Sequence, residues 1–318
     1  MSDAHPRLVT LGECMGRLAT QRIGLIENAG DLVMGIGGAE ANVCIAASRL
    51  GAATAWVGRL GSDRVGDLIA RRLTANGVTA AVARDPGFTG LMICTRRTSS
   101  DVEVDYHRQG SAGSRLAPDD LPEDLLDVGG VLHVTGITPA LSDSARDTVF
   151  RAIERAHARR IPVSFDVNYR AKLWARDTAA PVLGAIAEKA DIVFAGPEEA
   201  QILLGTAASD PSELARAIAA RGPREVIVKL GDMGCLALID GTVHRTPAVR
   251  TEVFDPVGAG DAFVAGYLVE RINGCTPERR LDTAVRMGAI AVSVPGDCEN
   301  LPFRDELDTL LTATDVIR

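Results

Sequence analysis

What constrains this chain most is a rhythm: short, almost wholly apolar runs alternate with stretches whose apolar residues recur every three or four positions. Runs of strand type stand at Leu8–Leu11, Ala55–Val57, Val131–Thr135, Val163–Val167, Ile192–Ala195, Val226–Lys229 and Leu236–Ile239. Helical spacing fills the gaps, as in Ser144–Arg160 and Ser212–Arg221. A strand that is apolar on both faces must be covered on both, so the pattern predicts an α/β fold in three layers, with a mainly parallel sheet between helices. The 318 residues, 46% of them hydrophobic, supply core enough for a single domain over 1–318.

Two regions break the rhythm. Residues 17–33 carry short apolar pieces with glycines and no convincing helix, and residues 89–108 read as two strands, L-M-I-C-T-R-R and V-E-V-D-Y-H-R, joined by T-S-S-D. Together they predict a small antiparallel sheet projecting from the main domain, contributed by about 13–35 and 88–112. Such a sheet serves equally as a flap over a cleft or as a surface for pairing subunits. The formal charge of −8 speaks against a nucleic-acid or anionic-membrane partner, though a pocket can be locally basic. No run is long and apolar enough to span a bilayer, and the opening M-S-D-A-H-P-R lacks the pattern of a secretory signal. The six cysteines are scattered, with no C-x-x-C pair, as expected of reduced thiols in a cytoplasm.

Chemistry concentrates in Asp255-Pro256-Val257-Gly258-Ala259-Gly260-Asp261-Ala262-Phe263, between a strand-like piece (Thr251–Phe254) and a helical run (Ala262–Ile272). Two glycines let the backbone approach a ligand, and the helix start aims free amides and its positive dipole end at an anion. Asp261 stands where a carboxylate can accept the proton of an attacking hydroxyl, or where it simply caps the helix. The third glycine of a dinucleotide fingerprint and the G-K-[ST] of a Walker loop are both absent. A second glycine-rich segment, Gly35-Ile36-Gly37-Gly38-Ala39-Glu40-Ala41-Asn42, leads into the helical run Val43–Leu50. It suits either a grip on a polyhydroxylated ligand or an ordinary turn with an Asn cap.

The segments G-G-A-E-A-N-V-C-I-A-A-S-R-L-G and D-P-V-G-A-G-D-A-F-V-A-G-Y-L resemble the two signatures of the ribokinase-like (PfkB) carbohydrate kinases, in the family's order and separation. Gly58–Asp67 and Lys229–Cys235 extend the likeness along most of the chain. The resemblance implies a ribokinase-like fold with a lid sheet, ATP and Mg²⁺ as cofactors, and Asp261 as catalytic base with Gly258, Ala259 and Gly260 as anion hole. It implies Lys229, Gly231 and Gly234 at the nucleotide, with Asn168 toward its phosphates.

Three further segments, Tyr106–Ser114, Gly136–Ser142 and Asp166–Arg170, resemble those of the 2-keto-3-deoxygluconate kinases. Gly37, Gly38, Asn42, Tyr106, Arg108, Arg170 and Asp297 would then hold a sugar acid, arginine forks answering its carboxylate. Two departures bear on this. Met92 stands where such relatives carry an aromatic, and Gly196-Pro197-Glu198-Glu199 replaces an N-x-x-E motif linked to magnesium, leaving Glu199 as its acidic end. A fructokinase or other sugar kinase of the family, and a silent sugar-acid sensor on the same scaffold, are the competing readings. Pairing of subunits through the lid sheet is expected of its apolar strands.

Overall fold

A computed structural model describes residues 7–98, 101–124, 126, 130–307 and 309 of the chain; residues 1–6 and the Ser99–Ser100 part of the expected turn lie outside them. The strands are β1 (Arg7–Leu11), β2 (Met15–Thr20), β3 (Leu32–Gly37), β4 (Ala53–Gly61), β5 (Val78–Asp85), β6 (Leu91–Arg96), β7 (Val102–His107), β8 (Gly130–Thr135), β9 (Val163–Asp166), β10 (Ile192–Ala195), β11 (Glu225–Lys229), β12 (Cys235–Ile239) and β13 (Thr242–Thr246). The α-helices are α1 (Ala39–Arg49), α2 (Arg64–Ala75), α3 (Asp143–Ala158), α4 (Arg176–Ala187), α5 (Pro197–Leu204), α6 (Pro211–Ala219), α7 (Ala259–Ile272) and α8 (Pro277–Ser293).

Nine strands form one sheet in the order β13-β12-β11-β10-β9-β8-β1-β4-β5. From β5 to β11 every pairing is parallel, and β12 and β13 close the edge as antiparallel strands. The period of two within a strand sends alternate residues to opposite faces. Leu8 of β1 accordingly packs in a core with Val43 of α1, Ile69 of α2, Leu268 of α7 and Ile290 of α8. Val9 and Leu11 pack on the other face with Val149 of α3, Leu183 of α4, Leu203 of α5 and Leu214 of α6. The result is the expected three-layer α/β/α arrangement. Each large side chain buried this way contributes about 1.5–3 kcal/mol relative to exposure.

The second sheet has four strands in the order β3-β2-β6-β7. It is mixed, not antiparallel throughout: β2 and β6 run parallel, while β2–β3 and β6–β7 are antiparallel. Two hairpin-like pieces distant in sequence meet along their inner strands, a pairing that strand composition does not encode. Met15, Met92 and Cys94 form its own small apolar core. The strand expected at Thr251–Phe254 is a loop. The amides of Phe254 and Asp255 both bond the carbonyl of Val292, at 2.6 and 3.0 Å, so this segment is held by the end of α8 and joins no ladder.

Candidate active site

In open α/β sheets ligands settle beyond the carboxyl ends of the strands. Here Leu11, Thr135, Asp166, Ala195 and Lys229 end neighbouring parallel strands, and the starts of α1 and α7 converge on the same edge. Gly258 is the N-cap of α7 at φ 79°, a left-handed conformation in which a Cβ would also collide with the carbonyl of Asp297. Ala259, Gly260 and Asp261 form the first helical turn, whose amides lack partners within the helix. A Cβ on Gly260 would lie 3.7 Å from the Lys229 ammonium, which puts a cation beside the turn.

Asp261 is buried and takes a 2.9 Å hydrogen bond from Asn42 Nδ2 of α1; no side-chain cap closes α7. Burial pushes its carboxyl up to about 7, the Asn42 bond opposing, the charge of Asp166 adding, and Arg170 and Lys229 pulling back. Lys229 Nζ donates to both oxygens of Asp166 at 2.8 and 2.7 Å. Burial works against its charge, but Asp166, Glu199 and Asp261 outweigh this and raise its pKa. Gly231 and Gly234 shape the β11–β12 turn at φ 60° and 90°. A side chain at Gly234 would strike the Thr246 carbonyl, whereas Gly231 faces open space.

The other half of the site lies under the small sheet. Gly37 and Gly38 admit close neighbours: a Cβ would strike Met92 and Asp297 at the first, and the Glu13 carbonyl at the second. Arg108 is buried against Glu13, with Nε 2.7 Å from Oε2, and Ser111 also bonds that carboxylate. The Arg108 guanidinium sits 5.5 Å from the centre of the Tyr106 ring, and Lys172, bonded to the Val104 carbonyl at 2.7 Å, approaches the same ring. Arg170 is exposed, forms no ion pair among the described residues, and its charge reaches both Asp261 and Tyr106. Asp297 is held differently from an open ligand-binding acid: it is buried, with Oδ1 2.9 Å from Arg17 Nε. Burial raises its pKa to about 7 against the pull of Arg17, with Glu299, Asp261 and Asp255 adding to the rise.

Asn168 is buried at φ 38°, a left-handed position that Asn tolerates better than most residues. Glu199 accepts from the amides of Tyr169 (3.0 Å) and Gly196 (2.7 Å), so it ties the loops after β9 and β10 together. Its carboxylate keeps lone pairs for a hydrated cation. No group of three or more His, Cys, Asp or Glu side chains able to hold a metal exists among the described residues. That donor set fits Mg²⁺ arriving with a nucleotide, since Mg²⁺ commonly takes one or two carboxylates plus substrate phosphates.

Glu13, Glu40 and Asp166 escaped the sequence reading. Glu40 is a buried acid whose Oε1 accepts from Thr135 and Thr138, both at 2.7 Å, fixing the glycine turn to the strand ends; burial raises its pKa. Each stands inside or beside a segment that was singled out, Asp166 heading D-V-N-Y-R and Glu13 following β1 in G-E-C-M.

A glycine turn, a buried acid and a lysine thus meet at the carboxyl edge of the parallel sheet, under the smaller sheet. The chain belongs to the pfkB family of carbohydrate kinases, whose pattern matches residues 5–304. A 2-dehydro-3-deoxygluconokinase of Thermoproteus tenax is 37% identical to it over 319 residues, covering 98% of this chain and 96% of the relative. The crystal structure of a 2-dehydro-3-deoxygluconokinase from Thermotoga maritima superposes with a TM-score of 0.91 at 26% identity, covering 97% of this chain and 100% of that one. An E. coli protein crystallised in complex with ATP and Mg²⁺ gives a TM-score of 0.88 at 25% identity, covering 96% of this chain and 99% of that one.

Proposed function

We propose that the protein transfers the γ-phosphoryl group of ATP to the 6-hydroxyl of 2-keto-3-deoxygluconate, with Asp261 as general base. The observation that carries the mechanism is the pairing of Asp261 with Asn42 beside the Gly258–Gly260 turn. A carboxyl poised near 7 matches the operating pH of a base, and the turn's amides face the charge that develops in transfer. Asn42 orients the carboxylate, and Lys229, fixed by Asp166, stands ready for phosphate oxygens. When bound with ATP, Mg²⁺ would neutralise phosphate charge near Glu199.

The sugar acid is favoured by two arginines around Tyr106. Arg108 is locked by Glu13 as a rigid fork, and Arg170 has no carboxylate partner among the described residues, so a substrate carboxylate would supply one. Free thiols, five of the six buried, suit a reducing cytoplasm where ATP is at hand. No described helix is long and apolar enough to cross a membrane.

The test is an ATP-consumption screen over 2-keto-3-deoxygluconate, its C4 epimer, fructose, ribose and adenosine, repeated with Arg170→Ala. The reading expects the keto acids to be preferred and Arg170→Ala to raise their KM at least tenfold. Preference for fructose, unaffected by that substitution, would replace it with a neutral-sugar kinase. Absence of turnover on every sugar would favour the sensor.

A further inference from the structure

Two arginines on neighbouring, parallel strands of the small sheet reach out of it to one carboxylate. Arg17 of β2 sets Nη2 3.4 Å from Asp255 Oδ2 and Nε 2.9 Å from Asp297 Oδ1. Arg96 of β6 sets Nη2 3.3 Å from the same Asp255 oxygen, donates from Nη1 to the Phe254 carbonyl at 2.6 Å, and lies 4.5 Å over the Phe254 ring. Asp255 is buried, and its other oxygen accepts from the Val257 amide at 3.1 Å. Gly258, the first residue of the anion turn, comes next, and the carbonyl of Asp297 packs against it. Both carboxylates held by the sheet's arginines therefore border the turn directly. A third tie runs from the Ile36 amide of β3 to Glu299 at 3.2 Å, two residues beyond Asp297.

A buried carboxylate deprived of its cation is costly, so Asp255 must follow the guanidinium groups. The segment 254–257 lacks a strand ladder of its own, and its side-chain partners are these arginines.

We propose that Arg17 and Arg96 are positioning residues for the phosphate turn, so that the sheet covering the sugar also sets the backbone that receives ATP. Neither needs to touch a substrate. The proposal rests on the reading of Gly258–Gly260 as the nucleotide phosphate site. It makes the two substrates thermodynamically coupled through this contact, and coupling of that kind is reciprocal.

The experiment measures binding of a non-hydrolysable ATP analogue with Mg²⁺ by calorimetry, with and without 2-keto-3-deoxygluconate, together with kcat and both KM values. It compares the wild type with Arg96→Gln, Arg17→Gln and Arg17→Lys. Wild-type protein should bind the analogue more tightly when the sugar acid is present. In Arg96→Gln that gain should vanish, and affinity with sugar present should fall roughly ten- to a hundredfold, the span of one charge-assisted hydrogen bond. Sugar affinity measured without nucleotide should stay within about threefold, sugar affinity with the analogue bound should fall by the same factor as analogue affinity, and Arg17→Lys should recover most of what Arg17→Gln loses. Should Arg17→Gln fail to fold, Arg96→Gln alone decides the matter, because Asp255 then still keeps Arg17. Analogue binding and sugar-induced gain both intact in Arg96→Gln would overturn the proposal alone. A rise in sugar KM without change in analogue binding would overturn it too, assigning the arginine to the sugar pocket. Wild-type protein that binds no analogue would overturn the kinase reading, and this proposal with it.

Discussion

Asp261 is held where ionisation is expensive, and that expense has a sign. Its carboxyl titrates near 7 when folded, against 3.8 as the ordinary value, so between about pH 4 and 7 the folded state keeps a proton that the unfolded state releases. The stability this gives at low pH is lost as pH rises through that window. Asp261→Asn removes the loss while leaving an amide oxygen for Asn42. The variant should melt higher than wild type at pH 8, by at most about 4 kcal/mol, with little gain at pH 4; equal shifts at both pH values in calorimetry would contradict the origin. The same variant should bind both substrates yet turn over about 10² to 10⁴ times more slowly, which steady-state kinetics would check. In the wild type, kcat/KM should climb with pH through an apparent pKa near 7, and this limb should be missing from the residual rate of Asp261→Asn.

At the scale of elements, the turn before α7 depends on one residue's backbone. Gly258→Ala combines φ 79° with a collision against the Asp297 carbonyl, so ATP-dependent turnover should fall at least tenfold and stability by roughly 1–3 kcal/mol. Gly231→Ala, at φ 60° but facing open space, should cost only roughly 1 kcal/mol, which a calorimetric melt would check. The parallel strands and the glycine-to-helix turns were legible in the sequence because apolar period and glycine pairs are local signals. Thr251–Phe254 misled for the same reason: T-E-V-F has strand composition, but composition reports a fit to a half-buried pleated surface and says nothing of where the amides go. The parallel β2–β6 seam and the Arg17–Asp255 pair join residues far apart in the chain, and no periodicity or motif connects such positions. Glu13 and Asp166 were passed over because a lone acid reads as surface until burial puts a cation beside it.

For the whole molecule, the outer end of the small sheet leaves Ile23, Leu25, Ile26, Leu32 and Val33 exposed. Clustered apolar side chains of this kind mark contact surfaces. A second copy of the chain is the occupant we expect, and sedimentation velocity should find a dimer that Leu25→Asp with Val33→Asp converts to monomer; a wild-type monomer at tens of micromolar would dismiss the idea. The placement of β1 has a different consequence. It lies mid-sheet, with Leu8 paired on one side to Thr54 and on the other to Val131. During vectorial synthesis β4 reaches the ribosome exit well before β8 does, so the nascent chain must carry β1 with one flank unsatisfied until the second half emerges. That interval is when the polypeptide is most open to capture by chaperones or to mispairing with another nascent copy.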